Sequence, residues 1–172
     1  EKELTKLDVI RLAEQFVEEG NGFYSAPNAD LYSEDFIFRG GVIGPLNKND
    51  YLNTMEWLGV YKAFELKSNA FGFTQDPQNP LCVHYFTRST GRHVAGFLSG
   101  GLLQPRPGFD EVNAPLEAAE VLFDQSGKVK FFTAGNVCAS KTELQATNTN
   151  GLGAVFGLFC AIGQSSFATS AL

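Results

Sequence analysis

The sequence predicts an α+β fold: a curved antiparallel sheet wrapped on N-terminal helices, with one further apolar helix near the C-terminal end. Three observations carry this. Apolar residues recur at helical spacing in the first third of the chain. From about Glu65 the period drops to two, as half-buried strands require. Finally, Gly151–Gly163 runs without a charge, an amide or a hydroxyl.

The first segment, LTKLDVIRLAEQFVEEGNG, reads as a helix with Leu7, Ile10, Ala13, Phe16 and Val17 on one face. Thr5 and Asp8 have capping-box spacing at its start, and Gly20 supplies a stop. A short second helix is expected through APNADLYSE, then a brief strand in DFIFRG and a turn-rich GVIGPL. Asn47 or Asn49 caps the following helix, whose inner face carries Leu52, Met55 and Leu58. ELKSNAFGFT and LCVHYFTRST alternate as strands on either side of QDPQNP, a proline-marked turn. GFLSGGLLQPRPGFDEVNAP is a long irregular excursion with short strand pieces and a mobile tip near Pro105–Gly108. LEAAEVLFDQSGKVKFFTAGNVCA is the clearest hairpin, with Gly127 at the positive-φ position of its turn, and it belongs at the centre of the sheet.

The 172 residues amount to one domain, with 1–140 as its body and 141–172 as a polar connector followed by the apolar segment. A net charge of −6 leaves no basic stripe for nucleic acid or anionic lipid. Sixteen Phe against one Trp and one Met suit a deep core, a greasy pocket or an apolar contact surface. Cys82, Cys138 and Cys160 show no CxxC and read as free, buried thiols in a reducing compartment. With only His84 and His93 available, no zinc motif is legible. The chain opens on Glu1 rather than Met, which fits either a cleaved targeting peptide or a trimmed chain.

The block LYSEDFIFRGGVIGPLNKNDYLNTM, together with FDQSGKVKFFTAGNV, resembles the SnoaL-like group of the nuclear-transport-factor-2-like superfamily over about residues 5–140. That resemblance implies a cone-shaped α+β barrel. The tail resembles uncharacterised plastid-type members from photosynthetic eukaryotes. Members of the superfamily include isomerases, cyclases and dehydratases, carotenoid binders, and docking or dimerisation modules, so the fold leaves function open.

An enzyme on this cone would place acid–base groups inside it. Candidates are Asp35, Arg39, His84, Tyr85, Arg88 and Glu120. Alternation puts Cys82, His84, Phe86 and Arg88 on one strand face and Val83, Tyr85 and Thr87 on the other. If the first set faces inward, His84 and Arg88 flank a substrate; if the second does, the pocket holds Tyr85 and Thr87 and little that ionises. Glu117 and Glu120 fall on opposite faces, so at most one points inward. His84 equally suits a half-exposed strand, Tyr85 a core with its hydroxyl at the rim, Asp35 a turn, and Arg39 a salt bridge at the cone mouth. The His/Asp pair of the resembling polyketide cyclases has no matching positions here.

The apolar segment, as a helix, spans about 20 Å, too short for a hydrocarbon core of about 30 Å. Gly153, Gly157 and Ala161 line one face and allow close approach, while Val155, Phe156, Leu158, Phe159 and Ile162 make the other faces greasy. Such a helix must be buried on several sides. It can cap its own cone, dock on a partner or membrane-embedded complex, or pair two copies of the chain.

The reading favoured by the sequence is a non-catalytic partner-binding module. Its docking residues are Gly153, Val155, Phe156, Gly157, Phe159, Ala161 and Ile162. Its concrete form, implied by the resemblance, is a peripheral subunit of a thylakoid photosystem complex in the chloroplast; otherwise the chain is soluble and intracellular. The alternatives are an isomerase, cyclase or dehydratase working by proton transfer with His84, Tyr85, Arg39 and Asp35, or a carrier of pigment or lipid. No cofactor or metal is expected.

Overall fold

The computed structural model describes residues 4–166, so the ends of the two sequence segments, 1–3 and 167–172, lie outside the described residues. The first helix, α1 (Lys6–Glu18), begins with a capping box: Asp8 N–H donates to Thr5 Oγ1 and Thr5 N–H donates back to Asp8. Its buried residues are Val9, Ala13, Phe16 and Val17, whereas Leu7 is 65% exposed. The inner stripe is therefore rotated toward Val9, a step that spacing alone left open. The expected second helix is a single 3-10 turn, Ala29–Leu31, capped by Asn28.

Strand β1 (Tyr32–Phe38) leads through a turn to β2 (Leu46–Asn47) and to α2 (Lys48–Leu58), capped by Asn47. The buried face of α2 is Tyr51, Met55 and Leu58, with Leu52 only half-buried. A short α3 (Val60–Ala63) runs directly into β3 (Phe64–Lys67). The single strand expected over ELKSNAFGFT is broken at Asn69, whose φ of 47° lies in the left-handed region, and the chain resumes as β4 (Phe71–Gln75). LCVHYFTRST likewise divides into β5 (Cys82–Thr87) and β6 (Thr90–His93). The excursion that follows holds an isolated bridge, Phe97 to Leu103, and β7 (Glu111–Asn113). Its tip is tied down: Arg106 donates to the Ile162 carbonyl at 2.9 Å and lies over the Phe109 ring.

The hairpin of β8 (Glu117–Phe123) and β9 (Val129–Val137) turns at Gly127, φ 84°, and occupies the middle of the main sheet. That sheet has the order β2-β1-β9-β8-β5-β4, antiparallel except for the β1–β9 pair. A second sheet, β3-β6-β7, continues the wall. Together they curve around α1 and α2 in the expected cone. Phe16, Tyr32, Phe36, Tyr51 and Phe132 meet edge-on in the core with centroids 4.8 to 6.5 Å apart, contacts that add to the area each ring buries.

After β9, α4 (Lys141–Gln145) and α5 (Ala154–Ala161) return to the body. Val155, Leu158, Phe159 and Ile162 are all buried, and Phe159 packs on Phe97 at 5.2 Å. Burial of each such side chain contributes about 1.5–3 kcal/mol, which offsets the roughly 1 kcal/mol cost of a helical glycine. Gly157 is required by proximity: a Cβ there would stand 2.6 Å from the Leu152 carbonyl. No helix among the described residues is long and apolar enough to cross a membrane.

Candidate active site

The cone encloses a cavity of about 290 Å³. Its floor is aromatic, with Phe38, Tyr51 and Phe132, and α5 closes one side through Val155, Phe156 and Leu158. The turn Gly40–Ile43 lies at the rim, where Val42 is half exposed. Within this lining Glu117 is the one charged side chain among the described residues.

Glu117 opens β8, whose burial alternates so that Glu117, Ala119, Val121 and Phe123 face inward. Glu117 as a whole is 7% exposed. Both carboxylate oxygens accept from the Ala154 N–H at 3.2 Å, at the first turn of α5. Ala154 holds φ at 45°, a strained value for a residue with a Cβ, and this conformation points its N–H at the carboxylate. Gly153 has no room for a side chain, since a Cβ would lie 2.8 Å from the Gly135 carbonyl and 2.9 Å from Glu117 Cδ. Burial pushes the Glu117 carboxyl up from 4.5 to about 7, and the single N–H offsets only part of that effect.

The hydroxyl side chains of Tyr24, Tyr85, Thr87 and Ser89 line the same cavity. On β5, Val83, Tyr85 and Thr87 face inward, the second of the two orientations that the alternation allowed. Tyr85 stacks on Phe73 at 5.0 Å, and its hydroxyl has no hydrogen-bond partner among the described residues. Tyr24 reaches the cavity from the loop after α1 and shares a 2.6 Å hydrogen bond with Ser89. That loop is fixed by Asn21, whose Oδ1 accepts from the Phe23 and Tyr24 N–H groups while its Nδ2 donates to the Val17 carbonyl. Burial raises both tyrosine hydroxyls, and the Glu117 charge raises each further.

The remaining candidates stand outside the cavity. His84 is on the outer face of β5, 2.8 Å from Asp76 and 3.6 Å from Glu120. Asp35 is exposed and pairs with Lys130 at 3.0 Å. Arg88 pairs with Glu143 at 2.8 Å and lies over the Phe71 ring. Arg39 is exposed and makes no ion pair among the described residues. Of the enzyme set named from sequence, Tyr85 alone lines the cavity. Cys82 is buried, and burial together with Glu120 pushes its thiol up to about 12; Cys138 is exposed, not buried as expected.

The residues proposed as a docking face lie against the cone. Val155, Gly157, Phe159, Ala161 and Ile162 are buried, and Gly153 and Phe156 line the cavity. The reading of the chain as a non-catalytic scaffold whose tail reaches to a photosystem is corrected: the tail packs on its own cone, and the solved structures of like fold described below bear the names of a hydroxylase and of cyclases. The close approach that the small residues allow is made to Glu117, Gly135 and Thr149 of the same chain.

Solved structures share this architecture. The chain shares the cone fold of solved SnoaL-like and nuclear-transport-factor-2-like proteins. One structure is AclR, a candidate hydroxylase from Streptomyces galilaeus, with TM-score 0.56 and 20% identity over 76% of this chain and 89% of that one. A candidate SnoaL-like polyketide cyclase from Jannaschia sp. CCS1 matches with TM-score 0.56 and 15% identity over 78% and 88%. The epoxide hydrolase/cyclase-like enzyme SalBIII, of pyran ring formation in the polyether salinomycin, matches with TM-score 0.51 and 11% identity over 80% and 92%. No family model matches the sequence, and no curated protein does.

Proposed function

We propose that the SnoaL-like chain is an enzyme that moves a proton on a small, largely apolar molecule, in an isomerisation, cyclisation or dehydration. The observation that carries this is Glu117: a carboxyl enclosed in an apolar cavity with a proton affinity near neutrality. Such a group is ionised often enough to act as a base and protonated often enough to act as an acid. The names of the cyclase and epoxide hydrolase/cyclase-like neighbours support the same class of chemistry, at the level of fold.

In the simplest sequence Glu117 takes a proton from carbon beside a substrate carbonyl, becoming neutral as the negative charge moves to the carbonyl oxygen. The Tyr85 hydroxyl, which has no hydrogen-bond partner among the described residues, donates to that oxygen. Glu117 then returns the proton at a second carbon and regains its charge. The Tyr24–Ser89 pair offers a second donor. A passive pigment or lipid carrier has no need for a buried carboxyl whose ionisation the cavity opposes.

The test is turnover of cyclohex-3-enone and its bicyclic homologues, followed by the absorbance of the conjugated product and by solvent deuterium uptake. The expected result is a rate that Glu117→Gln lowers by about 10²–10⁴-fold and that Asp35→Asn, on the outer surface, leaves unchanged. Equal rates in wild type and Glu117→Gln contradict the proposal.

A further inference from the structure

On the face of β5 opposite the cavity, three potential metal ligands converge. Cys82 and His84 alternate on the strand, and Asp76 reaches them from the turn between β4 and β5. One ligand atom from each lies within 4.8 Å of the other two. Cys82 Sγ is 3.9 Å from His84 Nε2, and the same nitrogen is 2.8 Å from Asp76 Oδ2. Tetrahedral zinc with these donors sets its ligand atoms about 3.3–3.6 Å apart, as follows from its bond lengths. The two separations bracket that figure, and the third, between Asp76 and Cys82, is no more than 4.8 Å.

The supporting geometry favours a bound ion. Asp76 Oδ1 is engaged by the N–H groups of Gln78 and Asn79 at 2.7 and 3.0 Å, which leaves Oδ2 turned to His84. The turn is clamped to the strand because Asp76 N–H donates to the Cys82 carbonyl and Cys82 N–H to the Asn79 carbonyl, both at 2.9 Å. The other imidazole nitrogen, Nδ1, lies 3.6 Å from Glu120 on β8. A metal-ligating histidine ordinarily donates its second N–H to a carboxylate, and Glu120 stands where that partner belongs. Half-exposed His84 and part-exposed Asp76 leave one side open for water as fourth ligand.

We propose that Asp76, Cys82 and His84 form a zinc-class divalent metal site, with Glu120 orienting the imidazole. Thiolate plus imidazole selects zinc over magnesium or calcium, which take oxygen ligands. On binding, the thiol proton leaves to solvent and the imidazole proton resides on Nδ1, donated to Glu120. The site stands independently of the cavity chemistry.

Chelator-treated full chain is titrated with zinc against a chromophoric competitor, and separately with cobalt. The expected results are one ion per chain and a near-ultraviolet thiolate-to-cobalt charge-transfer band. Cys82→Ser abolishes the band, and the more exposed His84→Gln weakens zinc binding at least 100-fold without testing core packing. Glu120→Gln keeps the stoichiometry and weakens binding about 10–100-fold. Absence of binding, cobalt bound without the thiolate band, or zinc bound equally by His84→Gln each overturns the proposal.

Discussion

The ribbon formed by β5 and β8 carries carboxylates on both faces and gives them opposite surroundings. Glu117, inside, shares an apolar cavity with Tyr24 and Tyr85 and accepts from one backbone N–H. Glu120, three residues on, faces His84 across a part-exposed outer surface. The inner carboxyl is shifted because water is excluded and no cation replaces it; the outer one keeps solvent and a basic neighbour. Environment, not residue type, gives Glu117 its proton affinity near neutrality.

The largest expected contrast is in catalysis, where Glu117→Gln costs about 10²–10⁴-fold in turnover. The second is in stability. The folded-state value for Glu117, about 7, lies above the ordinary 4.5, so between these pH values the native chain holds a proton that the unfolded chain has released. Stability from this group is therefore fully present below pH 4.5 and falls as pH rises to 7, by on the order of 3 kcal/mol. Glu117→Gln should remove that decline, so that urea titrations find the variant more stable than wild type at pH 8 and similar to it at pH 4.5. A variant less stable at both pH values would break the comparison.

Gly153→Ala is expected to act on the inner group through space. Its Cβ would meet the Gly135 carbonyl and Glu117 Cδ under 3 Å, costing about 1–3 kcal/mol by thermal denaturation and displacing the carboxyl. The smallest effect belongs to the outer face. Glu120→Gln, in chelator-treated protein, should change stability by less than about 1 kcal/mol, as exposed pairs do. A Glu120→Gln effect as large and as pH-dependent as that of Glu117→Gln would erase the distinction between the two faces.

Much of the fold was legible because its signals are local. Thr5 and Asp8 cap α1, Asn47 caps α2, and the alternation of β8 and β9 with Gly127 between them makes the central hairpin. The breaks at Asn69 and between β5 and β6 were not legible, since nothing in the alternation marks where one strand leaves a sheet for another. At the site, the sequence isolated Tyr85 and Thr87 as one face of β5 and noted that Glu117 and Glu120 diverge. It could not say which face was inner, and attention to ionisable residues drew it to His84 and Glu120, on the solvent side. The small residues of α5 signalled close packing correctly, but spacing carries no address, and the surface they meet is their own cone. Asp76 joins His84 only through a turn, which no linear motif displays.

The most direct measurement is the titration of the Glu117 carboxyl carbon by NMR in isotopically labelled protein, assigned by its disappearance in Glu117→Gln. A midpoint near pH 7 is the result expected of a group enclosed in the cavity and poised for proton transfer. A midpoint near 4.5 would mean that water reaches the carboxylate freely, and would contradict the active site described above.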